Sequence, residues 1–563
     1  MNKKVTRDIL KAIPIGGHGE IGKNSWLFEY KDEILIVNFG LMLPPHDLAG
    51  VDLILPSTDY LIENESKISG LILSSPHDDS CGGVFYLLNK VKIPKIWGSK
   101  LAIEQIKNQM PGNIPTEIIE SRMEFQAGNS FVIKPMCTNS ILPDTYGLFI
   151  KTSVGNILYT GSYKIDQTSL DKIPFDHFSF SQAGEEGVDL LLSDSTNIET
   201  PGYSQSEKAI TKRFNELFKE AESRIIIAAY ASSLYKYQII FNLAQKNNKK
   251  VLICGDYLAH KIEVGIKSGF IKADKNLFVE KGEIADIKDK DLVIIVSGKY
   301  GNCLPSLIEI AKQEHPLIKL KLKDTVVVSA NPPPGTSRVL AHTIDQLFVQ
   351  KVQVVGGRGQ SVHVSGHASQ EEAKFMLTIT KPRSFVPSHG EERQLVLHEA
   401  IAETMGISPN DIHILKNGDV LELREQIARV SGKIPAQSIY YNLAHGLDID
   451  ETTMKERQTL SKEGTITVAL SLDEDRNIIA GPQILAEACS FAKGKDWRAF
   501  CLGTNELVKE VIKQAIEKDE KKLPNLKSLV RDTVNKNVIE LVGKRPLINV
   551  TIQEIKKAVS HKS

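Results

Sequence analysis

Short apolar or alternating runs broken by Gly, Pro and Asp fill the first two hundred residues: SWLFEY, EILIVNFG, GLILSS, SFVIKPM, YGLFIKT and NILYTG. Period-two alternation buries one face of an extended chain, so these runs predict strands. From about Ser193 the rhythm changes. YSQSEKAITKRFNELFKEAE has helical spacing, with Ser204 and Glu207 placed as a capping box. After it RIIIAAYAS, KKVLICGD, DLVIIVSG, TVVVSANPPPG and VQVVGG read as strands, with YKYQIIFNLAQKN and SRVLAHTIDQLF as helices among them. That alternation predicts a parallel sheet covered on both faces. Residues 371–430 return to the first style, and 431–460 are polar and irregular, a linker by pattern. The tail, 461–563, opens with TITVALSLDE and carries the charged helical run NELVKEVIKQAIEKDEKK, as expected of a small α/β domain.

Composition narrows the class. A chain of 563 residues is too long for one core and should form several domains. Lys+Arg and Asp+Glu balance at 69 each, so nucleic-acid binding would need a local cleft and not a polybasic tail. The six cysteines (Cys81, Cys137, Cys254, Cys303, Cys489, Cys501) form no CxxC pair, which argues against a zinc ribbon or a disulfide framework. With no signal-like or membrane-length apolar run, a cytoplasmic location and no membrane partner are expected.

One stretch carries candidate chemistry. In SGLILSSPHDDSCGG, Ser69–Gly83, a strand-like run breaks into His77, Asp78 and Asp79 before the helical run VFYLLNKV. A His/Asp cluster at a strand end has the look of a metal loop, although one histidine is few. In the bland alternative, Asp79 accepts backbone N–H groups at the start of the next helix. In the other, a weak single-metal site recruits Asp78 as an extra oxygen donor. GGHGEIG, Gly16–Gly22, fits G-x-G-x-x-G but runs on into the strand KNSWLFEY, so it reads as a glycine-rich turn and not a dinucleotide fingerprint. Cys81 reads as a small buried apolar residue, NPPPG (331–335) as a stiff loop, and Lys518, Lys521 and Lys522 among Asp519 and Glu520 as a solvated face.

Several stretches in order resemble one family: IPIGGHGEIGKNSWLFEY, GLMLPP, GVDLILPSTDYLIEN, LLSDSTNIETPGYSQSE, VHVSGHASQEEAK, PRSFVPSHGEERQL and the tail LVGKRPLINVTIQE. They look like the RNase J ribonucleases. The resemblance implies an α/β chain: a metallo-β-lactamase αββα sandwich at 10–199 and 371–430, split by a β-CASP insert at 200–370. A linker at 431–460 and a C-terminal domain at 461–563 used in dimerisation would follow. The family's metal loop is H-x-H-x-D-H, and two metals need imidazoles plus a bridging carboxylate. By the resemblance, ligand positions are lost at Ser75, Ser80, Asn139 and Ser162, and Asn38 stands where the first motif has aspartate. His77, Asp79 and His389 remain as a metal remnant. Asp194 and His367 match catalytic positions, with a residual role for Asp79. Ser232, Ser233, His363, Ser365, Gly366 and His367 match phosphate-contacting loops, where small residues let backbone N–H groups approach an anion.

The expectation is an RNase J-like protein with a degenerate metal centre and no tightly bound cofactor. It would bind RNA as a homodimer or with an active RNase J-type paralogue. One alternative is an active metal-dependent 5′-exo- or endoribonuclease using zinc or manganese; another is a purely structural interaction subunit.

Overall fold

A computed structural model describes residues 8–45, 48, 50–331, 335–357, 361–443, 446–518 and 522–555. Pro332–Pro334 and Asp519–Lys521, two of the stretches singled out above, lie outside the described residues. The chain divides into two compact units, one up to Gly446 (apart from 48–50) and one from Leu447 onward.

In the first unit, two sheets face each other. One has eight strands, running from Ile427–Lys433 and Asp419–Arg424 through Leu10–Gly16, Ser25–Tyr30, Glu33–Val37 and Ile68–Leu73 to Ile96–Gly98 and Thr116–Ile118. The other has six, from Ser384–Ser388 through Leu190–Asp194, Asn156–Tyr159, Thr145–Lys151 and Phe131–Thr138 to Phe125–Ala127. Trp26, Phe28, Leu35 and Val37 of the first pack on Phe131, Ile133, Leu148 and Leu192 of the second. Outside them lie helices: Leu61, Leu87 and Ile103 cover one sheet, and Phe180, Met376 and Ala402 cover the other. This is the αββα sandwich. Both sheets need strands from after residue 380 to be complete, so the intervening chain is an insert.

The insert holds a five-stranded, wholly parallel sheet ordered Lys250–Cys254, Leu292–Val296, Ile225–Ala228, Thr325–Val328, Gln353–Gly356. Its alternation is physical: Ile225 and Ile227 pack with Phe214, Tyr237 and Leu258 on one face, while Ile226 and Ala228 pack with Leu307, Ile310 and Leu347 on the other. The expected doubly covered sheet is present.

Two local expectations are corrected. The first helix of the insert is Ala209–Glu220, and Ser204 with Glu207 does not cap it. Ser204 Oγ instead binds the His367 carbonyl at 2.7 Å, and Glu207 is buried against Lys164, so tertiary partners claimed both side chains. Nor is 431–460 irregular throughout: it holds the end of strand Ile427–Lys433, the strand Ile439–Asn442 and most of the helix Glu451–Glu463. Tyr440 pairs with Ile54, so this polar-looking segment adds a strand beside Leu53–Leu55.

In the second unit, Thr465–Leu472 is the centre of a three-stranded sheet between Ile478–Glu487 and Leu547–Glu554. Its alternate residues Ile466, Val468, Leu470 and Leu472 meet helices Gly494–Glu517 and Leu523–Val542 through Val508, Ile512, Val530 and Val534.

Chain geometry fixes the loop at the sandwich rim. Phe39 N bonds Ser80 O, Leu41 N bonds Asp78 O, and Asn24 N bonds Asp79 O at 2.7–2.9 Å, zipping three segments together. A Cβ on Gly40 would lie 1.5 Å from the Asp79 carbonyl oxygen. Gly40→Ala should therefore cost about 1–3 kcal/mol, the range for overpacking. Gly432→Ala, where a Cβ meets nothing within 4 Å, should stay within about 0.5 kcal/mol. Urea midpoints of the two variants check this, and equal midpoints would refute it.

Candidate nucleic-acid interface

The candidate residues come from strand ends gathered at one rim. Glu33–Val37 runs parallel to Ile68–Leu73, and Leu190–Asp194 runs parallel to both Asn156–Tyr159 and Ser384–Ser388. Their C-terminal ends present Asn38, Ser74–Ser80, Asp194 and His389. Asn38 and His389 both hold left-handed backbone, φ +61° and +50°. Few non-glycine residues adopt that geometry, and such strain concentrates at functional sites.

Five side chains form an alternating series of imidazole and carboxylate. His77 Nδ1 lies 2.9 Å from Asp79 Oδ1, and Asp79 Oδ2 lies 3.6 Å from His389 Nε2. His389 Nδ1 lies 3.5 Å from Asp194 Oδ1, and Asp194 Oδ2 lies 2.7 Å from His367 Nδ1. Ser80 Oγ donates to Asp79 at 2.8 Å and Thr196 Oγ1 to Asp194 at 2.7 Å. Burial opposes charge on His77, but Asp79 beside it raises its pKa above the ordinary value. Burial likewise opposes charge on His389, and Asp194 and Asp79 together raise it. Burial would push the two carboxyls up; the histidines hold both well below the usual carboxylate range.

The positions that the resemblance marks as lost ligands hold neutral side chains, most of them hydrogen-bonded within the protein. Asn38 Nδ2 donates to Ser74 Oγ and Tyr159 Oη, each at 3.0 Å, and its Oδ1 accepts from Ser74 N at 2.9 Å. Asn24 Nδ2 donates to the same Tyr159 Oη at 2.9 Å. Ser75 Oγ accepts from His77 N, and Asn139 is turned to the Ile173 carbonyl and Asp166 N. Ser162 Oγ is buried without a protein partner. The hydroxyls of Ser75 and Ser80 and the Asn139 amide are a poor donor set for a dication, and the bridging place, Ser162, holds a hydroxyl. These residues do not fit a two-metal centre. Among the described residues the compact metal-capable group is Asp194, His367 and His389, whose ligand atoms lie within 4.8 Å of one another. It is a different trio from the expected remnant, sharing only His389.

Two readings of the loop are corrected. Asp79 does not accept at the helix start: His77 is the N-cap residue of Asp78–Cys81, its Nδ1 3.3 Å from Asp79 N, which it can cap when neutral, and 2.9 Å from Asp79 Oδ1, to which it donates when protonated. Asp78 is no spare oxygen donor beside Asp79. Its Oδ1 takes Lys261 Nζ at 2.7 Å and the Tyr257 hydroxyl at 2.5 Å, both from the insert. Cys81 is buried as expected, and burial pushes its thiol up to about 12.

The phosphate-type loops lie across the same rim. Gly366 is required by space, since a Cβ would meet Ile141 Cγ2 at 2.6 Å and Ile141 N at 2.9 Å. Ser365 Oγ accepts from His367 N at 3.1 Å. The buried Ser233 hydroxyl has no protein partner, and Ser232 is beside it. Sequence reasoning missed two buried lysines here. Lys164 Nζ bonds the Ser365 carbonyl at 3.1 Å, the Gln205 carbonyl at 3.0 Å and Glu207 at 3.2 Å. Lys236 Nζ lies 3.3 Å from His363 Nδ1. Burial lowers Lys236 to about 8 although Glu207 opposes the shift, and burial with both lysines nearby takes His363 well below its ordinary value. The signal available in sequence was slight: a lysine after TGSY and another three residues after Ser233.

Three family matches follow the chain: the Ribonuclease J beta-CASP domain over residues 222–347, the Zn-dependent metallo-hydrolase RNA specificity domain over 351–415, and the Ribonuclease J C-terminal domain over 452–555. Ribonuclease J of Synechocystis sp. is 39% identical over 86% of this chain and 76% of its own length. Ribonuclease J2 of Bacillus subtilis is 32% identical over 99% of this chain and 100% of its own. Ribonuclease J 1 of Streptococcus pyogenes is 34% identical over 84% and 85%. A crystal structure of a protein of unknown function from Enterococcus faecalis aligns over 74% of this chain and 100% of its own, with TM-score 0.51 at 14% identity, a likeness of fold alone. Among the described residues no helix is long and apolar enough to cross a membrane.

The raised histidines give stability a pH signature. Their contribution is complete below about pH 6.5 and is lost as pH rises through their raised values. Asp79 and Asp194 contribute above about pH 4 and lose that contribution on further acidification. The difference in melting temperature between the wild type and His389→Gln should therefore shrink from pH 6 to pH 9. A difference independent of pH would refute the charged-histidine account.

Proposed function

The chain belongs to the ribonuclease J family, and on that premise we propose that it is an RNA-binding member whose centre does not support ordinary two-metal hydrolysis. The observation that carries this reading is the set of neutral side chains at Ser75, Ser80, Asn139 and Ser162, the positions where the resemblance calls for metal ligands, the first three engaged in hydrogen bonds within the protein. Around it, the five-member series supplies its own countercharge to Asp79 and Asp194.

RNA contact falls to the other side of the rim. A terminal or internal phosphate would take backbone N–H groups and hydroxyls from Ser365–Gly366–His367 and Ser232–Ser233, with Lys164 and Lys236 behind them supplying positive potential. His363, held neutral, accepts or donates through one nitrogen. His367 is fixed by Asp194 and points one imidazole nitrogen away from that carboxylate. The protein acts in RNA processing or decay, as a homodimer through 461–563 or beside an active paralogue, in the cytoplasm. The other domain limits of the sequence analysis are retained as part of this proposal, with the 431–460 segment counted as ordered strands and helix.

The second reading is a hydrolase with an altered single-cation site, favoured by the Asp194, His367 and His389 trio. Metal content and decay separate the two. Purified protein should carry well under one zinc or manganese per chain after dialysis against a mild chelator. On 5′-monophosphorylated RNA, His367→Ala should weaken equilibrium binding about tenfold, the loss of one charge-assisted contact. Single-turnover decay in excess manganese should stay at the blank. Metal-dependent decay abolished by Asp194→Ala would overturn the first reading and establish the second.

A further inference from the structure

A cavity of about 320 Å³ opens on the far side of the Asp78–Cys81 turn from the Asp79 carboxylate. It is lined by Leu41, Tyr86, Gln105, Tyr257, Lys261 and Tyr300, among others, with Phe85 at its exposed rim. Its walls are therefore aromatic and its depth polar. Tyr257 and Tyr300 lie 6.1 Å apart edge to face, and Tyr86 packs at 5.3 Å on Phe85. At the floor the buried Lys261 ammonium bridges Asp78 and Gln105, each at 2.7 Å. The size is that of a small-ligand pocket, about 300 Å³ at the lower limit.

One backbone bond ties this cavity to the phosphate-type loops. The Gly301 carbonyl accepts from Ala231 N at 3.1 Å, so the Tyr300 turn is joined directly to the residues preceding Ser232 and Ser233. Tyr300 itself has left-handed backbone, φ +52° and ψ +29°. A bulky aromatic residue rarely holds that conformation, and here it keeps a phenol ring at the cavity wall.

We propose that this cavity is a nucleobase subsite, resting on the RNA-binding reading above: an unstacked base enters against Tyr300 and Tyr86, and its edge meets the Lys261–Gln105–Asp78 floor. Tyrosine faces accept any base, so the subsite gives affinity more than sequence preference. The same chemistry would hold the base of a free nucleotide.

Full-length protein tests it, with single-stranded 5′-monophosphorylated oligoadenylate as one probe and AMP as the other. Tyr300→Gly suits its backbone, so the variant should fold; Tyr300→Asn, also tolerant of positive φ, guards against loss of packing. Both should weaken oligoadenylate binding about fivefold or more, and Tyr300→Phe should not. Moving one abasic position along the oligonucleotide should find a place where the wild type loses affinity and Tyr300→Gly loses no more. Equal RNA affinity of wild type and Tyr300→Gly overturns the subsite. If the wild type binds no RNA at all, the RNA-binding reading fails by itself. In that case Tyr300-dependent binding of AMP keeps the cavity as a nucleotide site, and no AMP binding overturns it.

Discussion

Two buried carboxylates govern the rim of this sandwich. Asp79 and Asp194 are held at the ends of strands that the two-sheet core brings together, and Asp194 is 3% exposed. An ionised carboxylate with no countercharge in such a place costs several kcal/mol. In a metal hydrolase the dications meet that cost. Here His77, His389 and His367 stand beside the acids in strict alternation. His389, with left-handed backbone, has Nδ1 3.5 Å from Asp194 and Nε2 3.6 Å from Asp79, and Nε2 also lies 3.2 Å from Gly22 N. Once the charges are balanced internally, the neighbouring positions need no charge, and Asn38 and Tyr159 join the two sheets with neutral hydrogen bonds.

The opposite sign is handled by the same rule across the cleft. Lys164 is paired with Glu207 and spends its remaining donors on the carbonyls of Ser365 and Gln205. Lys236 donates to the Ser329 carbonyl and lies 3.3 Å from His363 Nδ1, and burial lowers it to about 8. The result is positive potential behind a loop whose small residues leave backbone groups accessible, with Gly366 pressed so close to Ile141 that no side chain fits. An anion approaching the loop would meet fixed dipoles first and the lysines behind them.

Legibility followed periodicity. The doubly covered sheet was readable because Ile225, Ile226, Ile227 and Ala228 alternate between two cores, a pattern set by local geometry. The family motifs located Asp194, His367 and His389 because these residues sit at strand ends and in short ordered loops. Misreadings arose where a distant side chain decided the outcome. Ser204 and Glu207 have capping-box spacing, yet the His367 carbonyl and Lys164 are better partners than a helix terminus. The working capping box is Ser369 with Glu372, which positions the helix just after the phosphate-type loop. Tyr440 looked like linker because a three-residue partner strand, Leu53–Leu55, gives no periodic signal. Lys164 and Lys236 were invisible as site residues because nothing in spacing says that a lysine is buried.

The adjacent residues Asp78 and Asp79 take two different roles on one turn. Consecutive side chains at the start of a helical turn diverge by about 100°, so one acid serves the rim and its neighbour serves the insert. Asp79 faces His77 and His389; Asp78 faces Tyr257 and Lys261 on the helix Asp256–Lys267. A turn bound to dications is held from the inside. This turn is held by its backbone bonds to Phe39, Leu41 and Asn24, and by an ion pair to the insert. The loop therefore couples the hydrolase sandwich to the β-CASP sheet through Asp78 while Asp79 keeps the charge series complete.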